Sequence, residues 1–329
     1  MRLRTVGIII TLALGILSAP LAANTQPAGR VRRIGWLGQG NLGGAYREAL
    51  LHSLRDMGYV EGQNLVIESR SGVGAFEPLP ALAAELVRLP VEVIVTDGTP
   101  PTLAARAATS TIPIVFSGIP DPVDRGLIAS LAHPGGNITG AAGGSMEVNA
   151  GKQLELLKEV VPAATRIAVL IHRDHPLYGA AVQHLQAAAR QLRVELYVME
   201  VRDPATDLER AFATLAHERV DALCMLGDPS FTPYHTRIVE LVAANRLPAI
   251  YLARPIVKAG GLMSYNVNFA AIARRVGVLV GKILRGATPA DLPVEQPMQY
   301  HLAINLKTAK ALGITIPPHL LVLADEVLQ

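Results

Sequence analysis

The chain has 329 residues, half of them apolar, and carries 30 Lys and Arg against 27 Asp and Glu, for a formal charge of +3. So even a balance excludes the electrostatic footprint of a nucleic-acid binder, and the one cysteine, Cys224, excludes an internal disulfide. The length suits about two domains, and the high apolar but low aromatic content suits α/β layers with strands buried on both faces.

The N-terminus reads as an export signal. Arg2 and Arg4 precede the apolar run 6–17 (VGIIITLALGIL), and the small residues of 18–23 (SAPLAA) allow a cut after Ala23. The run is too short to cross a hydrocarbon core of about 30 Å. No cysteine stands at the cut to take a lipid, and the paired bases Arg32 and Arg33 lie downstream of the apolar run. The mature protein is expected in the periplasm without a lipid anchor.

After the signal, short β-branched runs alternate with helical patterns. Strands are expected over 33–38, 65–69, 91–96, 112–117, 166–172, 195–201, 222–226 and 248–252. Tyr46, Leu50, Leu54 and Met57 mark a helix after the first strand, with Gly58 as its stop. Leu177, Ala181, Leu185, Ala188 and Leu192 mark another after the fifth. Strand, helix, strand in repetition implies parallel sheets with right-handed crossovers. The pattern also occurs twice: RIGWL from Arg33 returns as RIAVL from Arg166, LVIESR as LYVMEVR, VEVIV as VDALC and PIVF as PAIY. Four pairs in one order at nearly constant offset indicate two similar lobes. The glycine-rich stretch 135–144 reads as the first connection between them. The tail fits neither copy: a strand over 260–268, a helix over 269–284, a linker over 286–297, a strand over 301–306 and a helix over 307–312. Such a tail implies several passages between the lobes, a hinge suited to closing around a ligand.

Several loops carry candidate chemistry. Gly38, Gly40 and Gly43 (GQGNLG) with Glu68 formally match a dinucleotide fingerprint. An exported protein has little use for NAD, however, and Glu68 lies far along, so a secreted NAD-dependent oxidoreductase is the alternative reading. Thr99-Pro100, Asp121-Pro122 and Asp228-Pro229 each read as a helix cap followed by proline, at strand ends where α/β sheets bind ligands. Thr96, Asp97, Gly98 and Thr99 suggest an anion site at a helix N-terminus, with the Thr99 or Thr102 hydroxyl as donor. His172, Arg173, Asp174, His175 and Tyr178 follow the fifth strand; without a third ligand they suggest either ligand contact or an ordinary solvated loop, and not a metal. No nucleophile elbow, phosphate loop or zinc-protease motif occurs, which speaks against an enzyme.

The stretches TSTIPIVF from Thr109, DPV from Asp121, GLIASL from Gly126 and PGGNITG from Pro134 resemble the ABC transporter substrate-binding proteins of the tryptophan/tyrosine-transporter type. So do GYVEGQN from Gly58, GGLMSY from Gly260, PADLPVEQP from Pro289 and INLKTAKALGITIPP from Ile304. The resemblance implies an α/β fold of two similar Rossmann-like parallel-sheet lobes joined by a multi-segment hinge, the type I periplasmic binding fold, with three crossovers. Lobe boundaries follow as 31–140 plus 266–291 and 141–265 plus 292–329, with hinge segments near Gly140, Tyr265 and Leu292. The family's cleft loops map onto Gly38, Gln39 and Asn41, onto Thr96, Asp97, Gly98 and Thr99, onto Ser117 and Asp121, onto His172 and Tyr178, and onto Gly227 and Asp228. The implied function is capture of a small solute, an amino-acid-like one among the candidates, for an ABC permease or a sensor, by a monomer without metal or cofactor.

Overall fold

The computed structural model describes residues 30–40, 42–73, 75–143, 146–175, 178–296 and 300–329; the expected export signal and Asn41 lie outside these. From Arg32 onward the chain forms one compact unit. None of the described helices is long and apolar enough to cross a membrane.

The first lobe grows from β1 (Arg32–Gly38), whose last five residues are all buried. It is followed by α1 (Gly44–Asp56), which turns Leu50, Leu51 and Leu54 inward. Gly58, in the left-handed region at φ +88°, ends that helix. Next come β2 (Leu65–Ser71), α2 (Leu79–Arg88), β3 (Val93–Asp97), α3 (Thr99–Ala108), β4 (Ile114–Ile119) and β5 (Ile138–Ala142). These strands form one sheet in the order β2-β1-β3-β4-β5, every pair parallel.

The second lobe repeats the plan. It runs α4 (Met146–Val160), β6 (Arg166–His172), α5 (Tyr178–Leu192), β7 (Glu195–Val201), α6 (Pro204–Glu218) and β8 (Ala222–Met225). A 3₁₀ turn (Pro229–Tyr234) leads into α7 (His235–Ala244), β9 (Ala249–Tyr251), α8 (Arg254–Lys258) and β10 (Met263–Val267). Read from its far edge, this sheet is β7-β6-β8-β9-β10 with β11 (Tyr300–Asn305) and β12 (Glu326–Leu328) added. The shared order makes β6 to β10 the counterparts of β1 to β5, as the repeated runs require. Two expectations are corrected here. The glycine-rich stretch 135–144 is not only a connection but contains β5, and the tail's first strand, β10, is the fifth strand of the second copy. β5 (ITGAA) carries little strand propensity. Its glycine answers close packing, because a Cβ at Gly140 would sit 2.3 Å from the Phe116 carbonyl oxygen.

After β10 the chain returns to the first lobe as α9 (Phe269–Leu284). Asn268 caps this helix by accepting the Ala271 N–H at 3.1 Å. Its apolar face (Ile272, Ala273, Val276, Leu279, Val280) joins the core that holds Ile34, Trp36, Leu50, Leu54, Val93 and Val115. Contact with α1 is close enough that a Cβ at Gly277 would lie 2.7 Å from Ser53 Cβ and 2.9 Å from the Leu50 oxygen. The chain then crosses a third time. Thr139 Oγ1 donates to Leu292 O at 2.7 Å, and Ala142 N to Glu295 O at 2.8 Å, before β11 pairs antiparallel with β10. Beside these passages Asn149 Nδ2 donates to Asn266 Oδ1 at 2.7 Å and Gln153 Nε2 to Tyr265 O at 2.8 Å. Short α10 (Leu306–Leu312) and α11 (Pro318–Leu323) precede the edge strand β12. α11 and β12 leave no clear periodicity in so short a stretch.

Candidate functional site

The carboxyl ends of the two sheets face each other, and every loop singled out in the sequence lies at one of them. From the first lobe come Gly38 and Gln39 after β1, Asp97 and Gly98 at the end of β3, and Ser117 and Asp121 at and beyond β4. From the second come His172 closing β6, Tyr178 opening α5, and Gly227 and Asp228 after β8. Rings bridge the gap directly. Phe76, in the loop after β2, meets His172 edge-on at a centroid distance of 4.3 Å and lies 6.0 Å from His175. Phe231 flanks His172 from its own lobe at 6.2 Å.

The second-lobe wall is built around Asp228, whose carboxyl is fully buried. Its Oδ1 accepts the Ser230 N–H at 2.7 Å and so caps the 3₁₀ turn, as the Asp-Pro pattern predicts. Its Oδ2 lies 3.5 Å from the Tyr178 hydroxyl, which donates to Gly227 O at 3.1 Å, and 3.7 Å from His175 Nε2. Burial, with the charge of Asp228 second, drives the Tyr178 pKa up, whereas burial lowers that of His175 against the pull of Asp228. Arg173 and Asp174 turn away, toward Glu200 and Arg202, and take no part.

The first-lobe wall centres on Asp97. Enclosure by protein and, second, the facing charge of Asp228 push its pKa up to about 7. Tyr46 from α1 stands next to it, with the Ser117 hydroxyl alongside. Two expectations fail at this wall. Gly98 at φ +81°, not Thr99, is the cap position of α3, and no side chain caps that helix. The Thr102 hydroxyl donates to Gly98 O at 2.8 Å and, having one proton, receives its 2.6 Å bond from Thr96. Both threonines are therefore spent within the lobe. Asp121 does not start a helix either: at φ +48° it opens a turn whose Arg125 N–H reaches Asp121 O at 3.2 Å.

Polar atoms without partners mark what the walls enclose. Both amide atoms of Gln39, the Ser230 hydroxyl and both ring nitrogens of His172 are buried with no hydrogen bond, and the Tyr46 and Ser117 hydroxyls find no partner beyond each other. Native proteins leave few such groups, and these stand at the strand ends and following turns of the edge that also carries Asp97 and Asp228. The set suits a small molecule carrying polar groups and a ring. No group of three or more metal-ligating side chains occurs among the described residues. The dinucleotide reading also fails on its acid, because Glu68 lies within β2 opposite Gly35 and is bonded to Arg33 at 2.7 Å.

Sequence reasoning missed Phe76, Phe231, Ser230 and Arg125, and placed Tyr46 only as a helix-core residue. A signal for Phe76 existed: its glycine-flanked loop follows a parallel strand, as the other site loops do.

Comparison with known proteins places the molecule. A family model described as ABC transporter substrate binding protein matches residues 44–328. A tyrosine-binding protein of Clostridioides difficile is 26% identical over 268 residues, covering 82% of this chain and 76% of that protein. A conserved domain protein from Vibrio cholerae superposes with a TM-score of 0.82 at 27% identity, covering 91% of this chain and all of the other. An ABC domain from Streptococcus pneumoniae in complex with L-Trp gives 0.78 at 25% identity, over 90% and 99%. The two-sheet architecture is that of the periplasmic binding proteins. With the family model spanning nearly the whole described chain, the protein belongs to the ABC transporter substrate binding protein family, whose members bind solutes and do not catalyse.

Proposed function

We propose that the protein captures an aromatic amino acid or a close analogue between its lobes, outside the cytoplasm, and delivers it to an ABC permease. The observation that carries this reading is the cleft itself, where rings from both lobes (Tyr46, Phe76, His172, Tyr178, Phe231) surround buried polar groups that lack partners. The solutes printed for two of the relatives, tyrosine and L-Trp, support the same class. Gln39, Asp97, Ser117, His172, Tyr178 and Asp228 are the contacts we assign to the ligand, with Gly38, Gly98 and Gly227 shaping the loops. The two lobes take residues 31–140 plus 266–291 and 141–265 plus 292–329, and closure turns on the segments near Gly140, Tyr265 and Leu292.

Thermal unfolding of the purified, exported protein against each of the common amino acids tests this. Tyrosine or tryptophan should raise the midpoint progressively with concentration above the Kd, since a ligand at a hundred times its Kd adds about 2.7 kcal/mol of stability. The same preparation should begin at Asn24 by intact mass. A panel in which no aromatic amino acid shifts the midpoint overturns the proposed substrate class.

A further inference from the structure

We propose that His172 is a specificity-determining residue of the cleft: its imidazole hydrogen-bonds the polar atom carried by the ligand's ring, the phenol hydroxyl of tyrosine or the indole N–H of tryptophan, and so disfavours phenylalanine. This rests on the aromatic-solute reading above and sharpens it.

The backbone holds His172 firmly. It closes β6 opposite Val201 of β7, and its carbonyl accepts the His175 N–H at 3.2 Å as the chain turns. The residue is 1% exposed, yet neither ring nitrogen has a hydrogen-bond partner. A neutral imidazole carries one donor and one acceptor, and burying both unmet is costly.

The neighbouring side chains do not meet that need. Phe76 of the first lobe lies edge-on at 4.3 Å between centroids and Phe231 of the second at 6.2 Å, and a phenyl ring has no N–H, O–H or oxygen to offer. His175 has its Nε2 3.7 Å from Asp228 Oδ2. The missing partner is therefore an atom of what the lobes close upon.

An amino acid with an aromatic side chain presents a charged end and a ring. Charged groups are held by charged or strongly polar partners, whereas walls of phenylalanine suit a ring. With Phe76 on one side and Phe231 on the other, His172 stands at the ring end. Gln39 and Ser230, also unpartnered and fully buried, remain to serve the polar end, so His172 is not needed there.

The selectivity follows from what each ring brings. The indole N–H donates to the acceptor nitrogen, and the phenol hydroxyl can donate or accept. Phenylalanine brings neither, and its binding leaves both nitrogens buried and unmet. A site built around a hydrogen bond rejects the analogue lacking it far more firmly than an apolar pocket rejects a change of size.

Calorimetric titration compares L-tyrosine, L-tryptophan, L-phenylalanine and 4-fluoro-L-phenylalanine, which nearly matches tyrosine in size but has no donor. The better of tyrosine and tryptophan should bind at least about tenfold more tightly than the two apolar rings. His172→Phe, which keeps a ring against Phe76 and Phe231, should bring all four to within about threefold by weakening the polar-ring ligand. Phenylalanine as tight as tyrosine and tryptophan, or a variant that keeps the preference, overturns the proposal while leaving the aromatic-solute reading intact. A variant that weakens all four alike places His172 at the polar end and overturns it too. Should His172→Phe not fold, nitrogen-15 spectra of the unaltered protein labelled at histidine decide. Tyrosine or tryptophan should shift imidazole nitrogens that phenylalanine leaves in place, and identical shifts overturn the proposal. Failure of all four compounds to bind overturns the aromatic-solute reading itself.

Discussion

Thr99 and Thr102 stand three residues apart on one helix turn and do different work. Thr102 is fully buried and ties β3 to the start of α3 through its bonds to Thr96 and Gly98 O, whereas Thr99 offers no cap. Replacing Thr102 by Val keeps the volume but strands the buried Thr96 hydroxyl, which should cost about 1–3 kcal/mol. Thr99→Ala should stay within about 0.5 kcal/mol, the range of a change that breaks no cap or buried bond. Urea unfolding of the ligand-free protein reads both. Should Thr99→Ala prove the more damaging, the assignment of the cap to Gly98 is wrong.

At the scale of elements, the packing of α9 on α1 depends on Gly277, where a Cβ would meet backbone as well as side chain. Ser53 Cβ and the Leu50 oxygen are fixed in α1, so Gly277→Ala should force the helices apart at a cost of about 1–3 kcal/mol despite alanine's better helix propensity. An unfolding midpoint equal to or above that of the parent would show that the helices yield freely. Gly281, by contrast, faces the flexible end of Met57, and its replacement should be milder. The sequence announces α9 to the residue, because Asn268 caps a strongly amphipathic run, and it announces β6 and β7 through dense β-branched runs bounded by turns. β5 escapes notice because Gly140 and two alanines are chosen by close sheet packing and not by strand propensity. The site was legible where backbone rules govern it, at strand ends followed by proline or glycine. It was not legible where a side chain acts across the fold. Nothing in the sequence around Phe76 names His172 as its partner, and nothing near Asp97 names Asp228.

The whole molecule joins its halves by three passages of chain, held side by side through Thr139 and Leu292, Ala142 and Glu295, and Asn149 and Asn266. Parallel tethers of this kind resist twisting yet bend together, which is how a hinge gives one closing direction. Saturating ligand should therefore reduce the radius of gyration in solution scattering. A saturated protein with an unchanged profile would argue for a rigid, preformed site.

The return of α9 also fixes the order in which the chain can finish folding. Every strand of the first sheet lies before residue 143, yet one of its covering helices ends at Leu284, after the whole of β6 to β10. Until that stretch has been delivered, the face formed by Ile34, Trp36, Leu50, Val93 and Val115 lacks its lid of Ile272, Val276 and Val280. The lobe that begins first is thus completed only after most of the second has been made. A chain stopped before Phe269 has all five strands of its first sheet but leaves an apolar face open to any other surface it meets.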